Sequence, residues 1–478
     1  MKISSFAQGH GLLVALFLLA GCATKSPYEL SDGYFCGGSY SDAAECISQD
    51  KVLDGSSVCV LDNMYVGAAH FSGQEHELAV GDFRRVESGM KEQDNKWSIG
   101  RGLTSDYLAR TYDETMVNLY QALSYLQQNR IDRARVEFNR VFERQGRAAQ
   151  RNAAMIRECQ KSVAQAKASQ DNRAAFSATK GAKCEGISEL QSELAKWNAY
   201  ADYMNPAAVF MCGAFRMLWG EDRGDAERGL VCLKRAYGMH PARVTAQAIA
   251  MLDRKAGGKS ALGDGNYVMI LFENGMGPMK VEERKEIFIP YRYPIYAGIA
   301  LPMLQHRPQA HRSLSIYSNG SCVGATETIC DFDRVVAAEF AQEFKWISAR
   351  EYVAACLKVG LQIAAMETLR ITLDKKVKKG EMAPYVRDLS LLAAGATLAA
   401  VCKATTKADT RMWSVLPHDF QAAIVPRPVD GRLSIRDSSG ASSLAEVLLP
   451  PGSAPAFVYV KIPTSASPAT AFAVNARQ

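Results

Sequence analysis

Histidine is scarce, with seven in 478 residues. No H-E-x-x-H pair occurs, which excludes the helix-borne zinc site of the common metalloproteases. His306 and His311 lie in H-R-P-Q-A-H, where Pro308 breaks the helical spacing that would set two ligands on one face; they read as a solvated loop, and no metal is expected. The twelve cysteines include no C-x-x-C, which removes thioredoxin-like and zinc-ribbon sites. No G-x-S-x-G elbow occurs, and Gly320-Ser321-Cys322 reads as a turn. Gly257-Gly258-Lys259-Ser260 has the tail of a phosphate loop, but Asp253 stands where its first glycine belongs, so no nucleotide cofactor is expected. A dominant charge is missing too: 56 Lys and Arg face 50 Asp and Glu, net +6, which gives no reason to expect a nucleic-acid partner. A mean hydropathy of −0.13 excludes a protein of many membrane spans.

Long apolar runs are also absent. Leu12–Leu19 (LLVALFLL) is too short for a bilayer, which takes about 20 residues. The Ala-rich stretch Leu389–Cys402 covers 14 residues and reads as a buried core helix. The run at Leu12 does fit the apolar part of a secretory signal, with Lys2 ahead of it. Leu19-Ala20-Gly21-Cys22 follows at once and looks like a bacterial lipobox. That resemblance implies cleavage between Gly21 and Cys22 and a covalent lipid on Cys22, the one prosthetic group expected. Several acyl chains on one residue make a stable anchor where a single chain does not. Ala23 rather than Asp after the cysteine favours the outer membrane, with the chain facing the periplasm.

With Cys22 lipidated, eleven cysteines are left, an odd number. In an oxidising compartment, Cys322/Cys330, Cys159/Cys184 and Cys212/Cys232 are candidate disulfides by proximity; the competing reading is buried free thiols packing as small hydrophobes.

The expected organisation is a signal peptide over 1–21 and a Cys- and Gly-rich irregular tether over 22–60. A helical domain follows over 61–255, then a β-rich domain over 256–478 with a helical insertion at about 331–406. The fold class is therefore α+β. Within the helical part, Gly67, Ala79, Phe83 and Val86 take positions 8, 20, 24 and 27 of a tetratricopeptide-like pattern. Ala122, Ala134, Phe138 and Val141 take the same four, and Gly229, Leu233, Ala236 and Pro241 take 20, 24, 27 and 32. Small residues at 8 and 20 let two antiparallel helices approach, and Pro ends the second. The three units are irregularly spaced, so ordinary helical hairpins are the alternative. Further on, 266–273, 287–290, 296–302, 313–317, 431–436, 446–450 and 456–462 read as strands.

One charge pattern stands out. Arg133, Arg140, Arg144, Arg147 and Arg151 recur at spacings of seven, four, three and four, which is one face of a helix. Such a stripe suits an anionic partner: peptidoglycan, lipid head groups or an acidic protein surface. The plainer reading, favoured here, is a solvated face neutralised in part by Asp132, Glu137 and Glu143. Lys375-Lys376-Val377-Lys378-Lys379 closes a helix, where cations suit the dipole.

Six stretches taken together carry a resemblance. They are Asn118–Leu126 (NLYQALSYL), Ala134–Glu137 (ARVE), Asn205-Pro206, Phe272–Lys280 (FENGMGPMK), Ile299–Pro302 (IALP) and Asp409–Pro417 (DTRMWSVLP). In order and spacing, over Met64 to Ile462, the chain resembles an uncharacterised family of bacterial lipoproteins with a tetratricopeptide-like helical N-terminal half and a β-rich C-terminal half. It departs from the family in the Cys-rich 30–60 region and the Ala-rich insertion. The resemblance supplies no activity and no catalytic residue. It implies a cell-envelope role in the company of lipoprotein activators of penicillin-binding proteins, hence a link to peptidoglycan synthesis. The expectation is a non-enzymatic protein-interaction scaffold, held at the membrane by its lipid and binding envelope proteins. One alternative is a peptidoglycan- or glycan-binding module using Tyr291, Tyr293, Tyr296 and Tyr317. The other is an envelope hydrolase whose carboxylates are distant in sequence.

Overall fold

The computed structural model describes residues 25–54, 59–95, 107–168, 204–257, 266–287 and 292–476, with Ser192 and Lys196. Gly21 and Cys22 lie outside the described residues.

The N-terminal half is helical. Its elements are α1 (Pro27–Gly37), α2 (Tyr40–Asp54), α3 (Val60–Ser72), α4 (His76–Asn95), α5 (Thr111–Gln127), α6 (Ile131–Ala168), α7 (Pro206–Trp219), α8 (Arg223–Met239) and α9 (Arg243–Ala256). Consecutive helices pack as hairpins: α3 on α4, α5 on α6 and α7 on α8. The stretch expected to be an irregular tether instead holds α1 and α2. Ser26 and Glu29 form a reciprocal capping box around Pro27, and Phe35 and Ile47 enter the core. Asn205 caps α7, its Oδ1 accepting from the Ala208 N–H at 3.1 Å, with Pro206 at the first helical position.

The C-terminal half is built from β1 (Tyr267–Asn274), β2 (Met279–Ile287), β3 (Ala297–Gln305), β4 (Ser315–Ser318), β5 (Ser321–Ala325) and β6 (Glu327–Asp331). After two helices come β7 (Asp419–Pro426), β8 (Arg432–Arg436), β9 (Ser443–Leu448), β10 (Ala456–Ile462) and β11 (Thr470–Asn475). The main sheet has the order β11-β10-β1-β7-β6, with β1 parallel to β10 and its other pairs antiparallel. A four-stranded sheet, β5-β4-β8-β9, and a ribbon of β2 and β3 accompany it.

Strand β1 is buried on both faces, which is why it reads as an unbroken apolar run. Met269 and Leu271 join Phe457 and Tyr459 of β10 in a core shared with the helices. Val268, Ile270 and Phe272 turn the other way, with Val458 and Val460, onto Leu314 and onto Ile316, Leu433 and Ile435 of the smaller sheet. Helical half and main sheet therefore share one core, and the change of texture near 255 marks a change of element type inside it. Trp413 is buried where helix passes to strand, with its ring 6.1 Å from that of Phe83 and 5.8 Å from that of Tyr120.

The helical insertion comprises α10 (Phe332–Lys378) and α11 (Pro384–Ala404). Here the expectation of a buried core helix fails: within α11 only Leu391 and Gly395 are buried. Both helices are long and apolar enough to cross a membrane by length and composition.

Two of the candidate disulfides are overturned. Cys322 is exposed on β5 and Cys330 is buried on β6, and these strands belong to different sheets. Cys212 and Cys232 are both buried and free, and the Cys212 thiol donates to the Phe138 carbonyl on α6 at 3.3 Å. The side chains of Cys159 and Cys184 lie outside the described residues.

Candidate functional site

The basic stripe is the place where sequence and structure meet. Four of its arginines are described; the Arg151 side chain lies outside the described residues. Helix α6 forms one wall of a groove, α4 the other, and α5 the floor. Two hollows share Glu87 and Arg140 and run on from one another. One, of about 610 Å³, is lined by Lys91, Thr111, Glu114, Arg144 and Arg147 among others. The second, of about 230 Å³, is lined by Arg84, Gln121, Tyr125, Arg133, Val136 and Glu137.

The stripe divides in two. Arg140 and Arg144 are held between helices. Arg140 Nη1 lies 3.2 Å from Glu87 Oε2 and 2.9 Å from Glu137 Oε1. Arg144 Nη1 lies 2.9 Å from Glu114 Oε2, and its Nη2 lies 3.4 Å from Glu87 Oε1. From the floor, the Asn118 amide donates at 2.8 Å to both Glu87 and Glu137. Burial pushes the Glu137 carboxyl above its ordinary pKa and Glu87 adds to this, while Arg140 and the Asn118 amide oppose it. Arg133 and Arg147 are exposed, and among the described residues Arg147 meets only Glu143 on its own helix, at 3.5 Å. The solvated-face reading thus holds for part of the stripe only. Glu87 and Glu114, on other helices, turn its middle into a cross-braced wall.

The sequence reasoning missed the floor. Gln121 is 1% exposed and lines the smaller hollow, yet neither its Oε1 nor its Nε2 has a hydrogen-bond partner among the described residues. Thr111 is buried at the other end with its Oγ1 likewise unpartnered. Leaving such groups unpaired costs about 1–3 kcal/mol each, so they mark where a ligand's polar atoms repay most. Nothing in the spacing of α5 singles out these two residues, because their setting is made by α4 and α6. Arg84, whose Nη2 donates to the Tyr125 hydroxyl at 2.8 Å, adds charge on the facing wall. Six cations and four carboxylates line the two hollows, and Arg133 and Lys91 have no ion-pair partner among the described residues. Chemically, the groove can hold an extended chain through its amides and acidic groups.

Of the tyrosines of the aromatic alternative, Tyr293, Tyr296 and Tyr317 are among the described residues. Tyr317 packs under Arg436 at 4.5 Å, and Tyr293 joins the small cluster between α10 and α11. Tyr296 lies near Lys403, and Tyr291 is outside the described residues.

Two of the segments behind the resemblance, FENGMGPMK and DTRMWSVLP, meet in space. Asn274 of the FENGMGPMK stretch exchanges hydrogen bonds with His311 and donates to Asp419 at 2.8 Å. The Gly277 N–H donates to the Leu416 carbonyl at 2.6 Å, and Arg307 bridges the carbonyls of Gly277 and Ser414. Gly275 turns with φ of +69°, and a Cβ there would stand 3.1 Å from His418 Cβ. These contacts are structural: they clamp the end of β1 to the DTRMWSVLP stretch. His306 is held by a hydrogen bond, its Nδ1 3.0 Å from Asp333 Oδ2. Among the described residues no group of three or more His, Cys, Asp or Glu is arranged to hold a metal.

Comparison with protein-family models, with curated proteins and with solved structures finds no match to this chain.

Proposed function

We propose that this chain is an outer-membrane lipoprotein facing the periplasm, anchored through Cys22, which works without catalysis as an interaction scaffold in the cell envelope. The groove between α4 and α6 is where it takes a partner protein. The observation that supports this best is the floor of that groove, where Gln121 is buried with both amide atoms unpartnered between two charged walls. A lipid anchor, tetratricopeptide-like hairpins and the likeness to envelope lipoproteins fit the same reading, and a link to peptidoglycan synthesis follows from that likeness. The test is a photo-crosslinking residue at Val136, which is exposed on α6 and lines the groove. In intact cells it should capture an envelope protein, and Arg133→Glu should reduce that capture at least about tenfold, as loss of a well-placed charge contact does. Capture of murein alone would reject the scaffold in favour of a peptidoglycan-binding module.

A further inference from the structure

The helical insertion carries a surface that the groove leaves unexplained. The hairpin of α10 and α11 is fixed at its root. The Gln362 side chain exchanges hydrogen bonds with the Tyr296 backbone at 3.1 and 2.9 Å, and Gly395 closes on Pro294. Between the two helices only a small cluster is buried, around Met366, Leu373 and Leu391. The outward faces are apolar. On α11, Tyr385 is 75% exposed, Leu389 65% and Leu392 55%, and exposed Ala396 and Ala400 continue the same face. On α10, Leu361 is 71% exposed, and exposed Ala365, Thr368 and Ile371 follow. No exposed residue from Leu361 to Thr372, or from Leu389 to Val401, carries a charge. Charge is gathered instead at the tip, where Lys375, Lys376, Lys378 and Lys379 are all exposed and have no carboxylate partner among the described residues.

We propose that this hairpin lies on a membrane surface, its apolar faces at the acyl boundary and its four tip lysines against anionic head groups. An apolar helical face beside a cluster of lysines is the chemistry of interfacial binding, in which buried area and attraction to anionic lipid act together. Spanning is disfavoured by the ion pairs of Arg370 with Glu367 and Asp374, and of Arg387 with Asp374 and Asp388, which would have to enter the hydrocarbon with the lysines. A second copy could cover the apolar faces, but the hairpin offers the lysines only Glu381 and Asp388 as exposed acids near the tip.

The test uses the chain from Ala23 onward, which keeps every described residue and lacks the lipidated cysteine. It is floated with vesicles of phosphatidylcholine alone or mixed with phosphatidylglycerol. Flotation with the mixed vesicles is expected, weakening as salt rises. Leu389→Glu with Leu392→Glu should lower it at least about tenfold, and so should replacement of the four lysines by Glu. Both leucines are exposed, so circular dichroism should show unchanged helix content. Failure of the parent chain to float with phosphatidylglycerol, or equal flotation of the leucine variant, would overturn the proposal. A concentration-dependent dimer that the leucine variant abolishes, without flotation of the parent, would overturn it in favour of a second copy.

Discussion

Glu273 and Lys461 show how much depends on single side chains here. They face each other in register on β1 and β10, both turned to the helices and both buried, with Lys461 Nζ 3.0 Å from Glu273 Oε2. The Tyr120 hydroxyl donates to the same oxygen at 2.9 Å, and the ammonium lies 5.1 Å from the Phe35 ring centre. Removing one charge strands the other in a dry site, so Lys461→Met should cost about 3–5 kcal/mol. The paired change Glu273→Leu with Lys461→Met should recover most of that, read as urea midpoints. His76 gives a pH signature. It is buried between the Phe71 and Phe472 rings, and burial lowers its pKa from 6.5 to about 4. The unfolded chain then binds the proton first, so the neutral ring's contribution is whole above about pH 6.5 and is lost as the pH falls through 4. That loss amounts to roughly 2–3 kcal/mol. The Tm of the parent minus that of His76→Leu should therefore fall between pH 7 and pH 4.5.

Helix packing decides what a methyl group does. A Cβ on Gly67 would stand 2.8 Å from the Phe83 ring, which is boxed in by Tyr120 and Trp413. On Gly81, in α4, it would meet nothing within 4 Å. Alanine gains about 1 kcal/mol of helix propensity at either site, but overpacking costs about 1–3 kcal/mol. Thermal melts should therefore show Gly81→Ala stabilised and Gly67→Ala destabilised. The same contacts explain what could be read from sequence. The close approach of α3 and α4 was legible in Gly67 and Phe83. In the third hairpin Gly229 was legible but its partner was not: Gly213, four residues before the pattern's position 8, is the residue that a Cβ would drive into Leu233. The insertion was found almost to the residue, because 331–406 is a long periodic run between turns. Strand β2 was missed because Glu282, Glu283, Arg284, Lys285 and Glu286 hide its alternation, and α1 and α2 because Gly33, Gly37 and Gly38 argue for loop. Of the groove, the arginine wall was visible as spacing. Glu137 and Glu143 were legible on the same helix, but the acids that brace it from other helices were not, since Glu87 lies 53 residues from Arg140 and Glu114 lies 30 from Arg144.

At the scale of the molecule, the proposed anchor and the groove are separable. Cys22→Ala should move the protein from the membrane fraction to the soluble periplasmic fraction, with residual membrane binding only as far as the α10–α11 hairpin supplies it; fractionation with and without high salt separates the two. The order of the main sheet has a further consequence, for how the chain reaches this state. Strand β1 lies between β10 and β7, and β10 and β11 are the last strands described. Trp219 Nε1 of α7 donates to the Asn475 carbonyl at 3.3 Å, and Phe472 stacks on Tyr459 beneath the helices. Until those strands emerge, β1 keeps an open apolar edge, and the charge of Glu273 has no lysine beside it. Closure of the main sheet therefore waits for β10 and β11, which on the proposed export route means the end of translocation. During that wait the open apolar edge of β1 leaves the unfinished chain prone to aggregate.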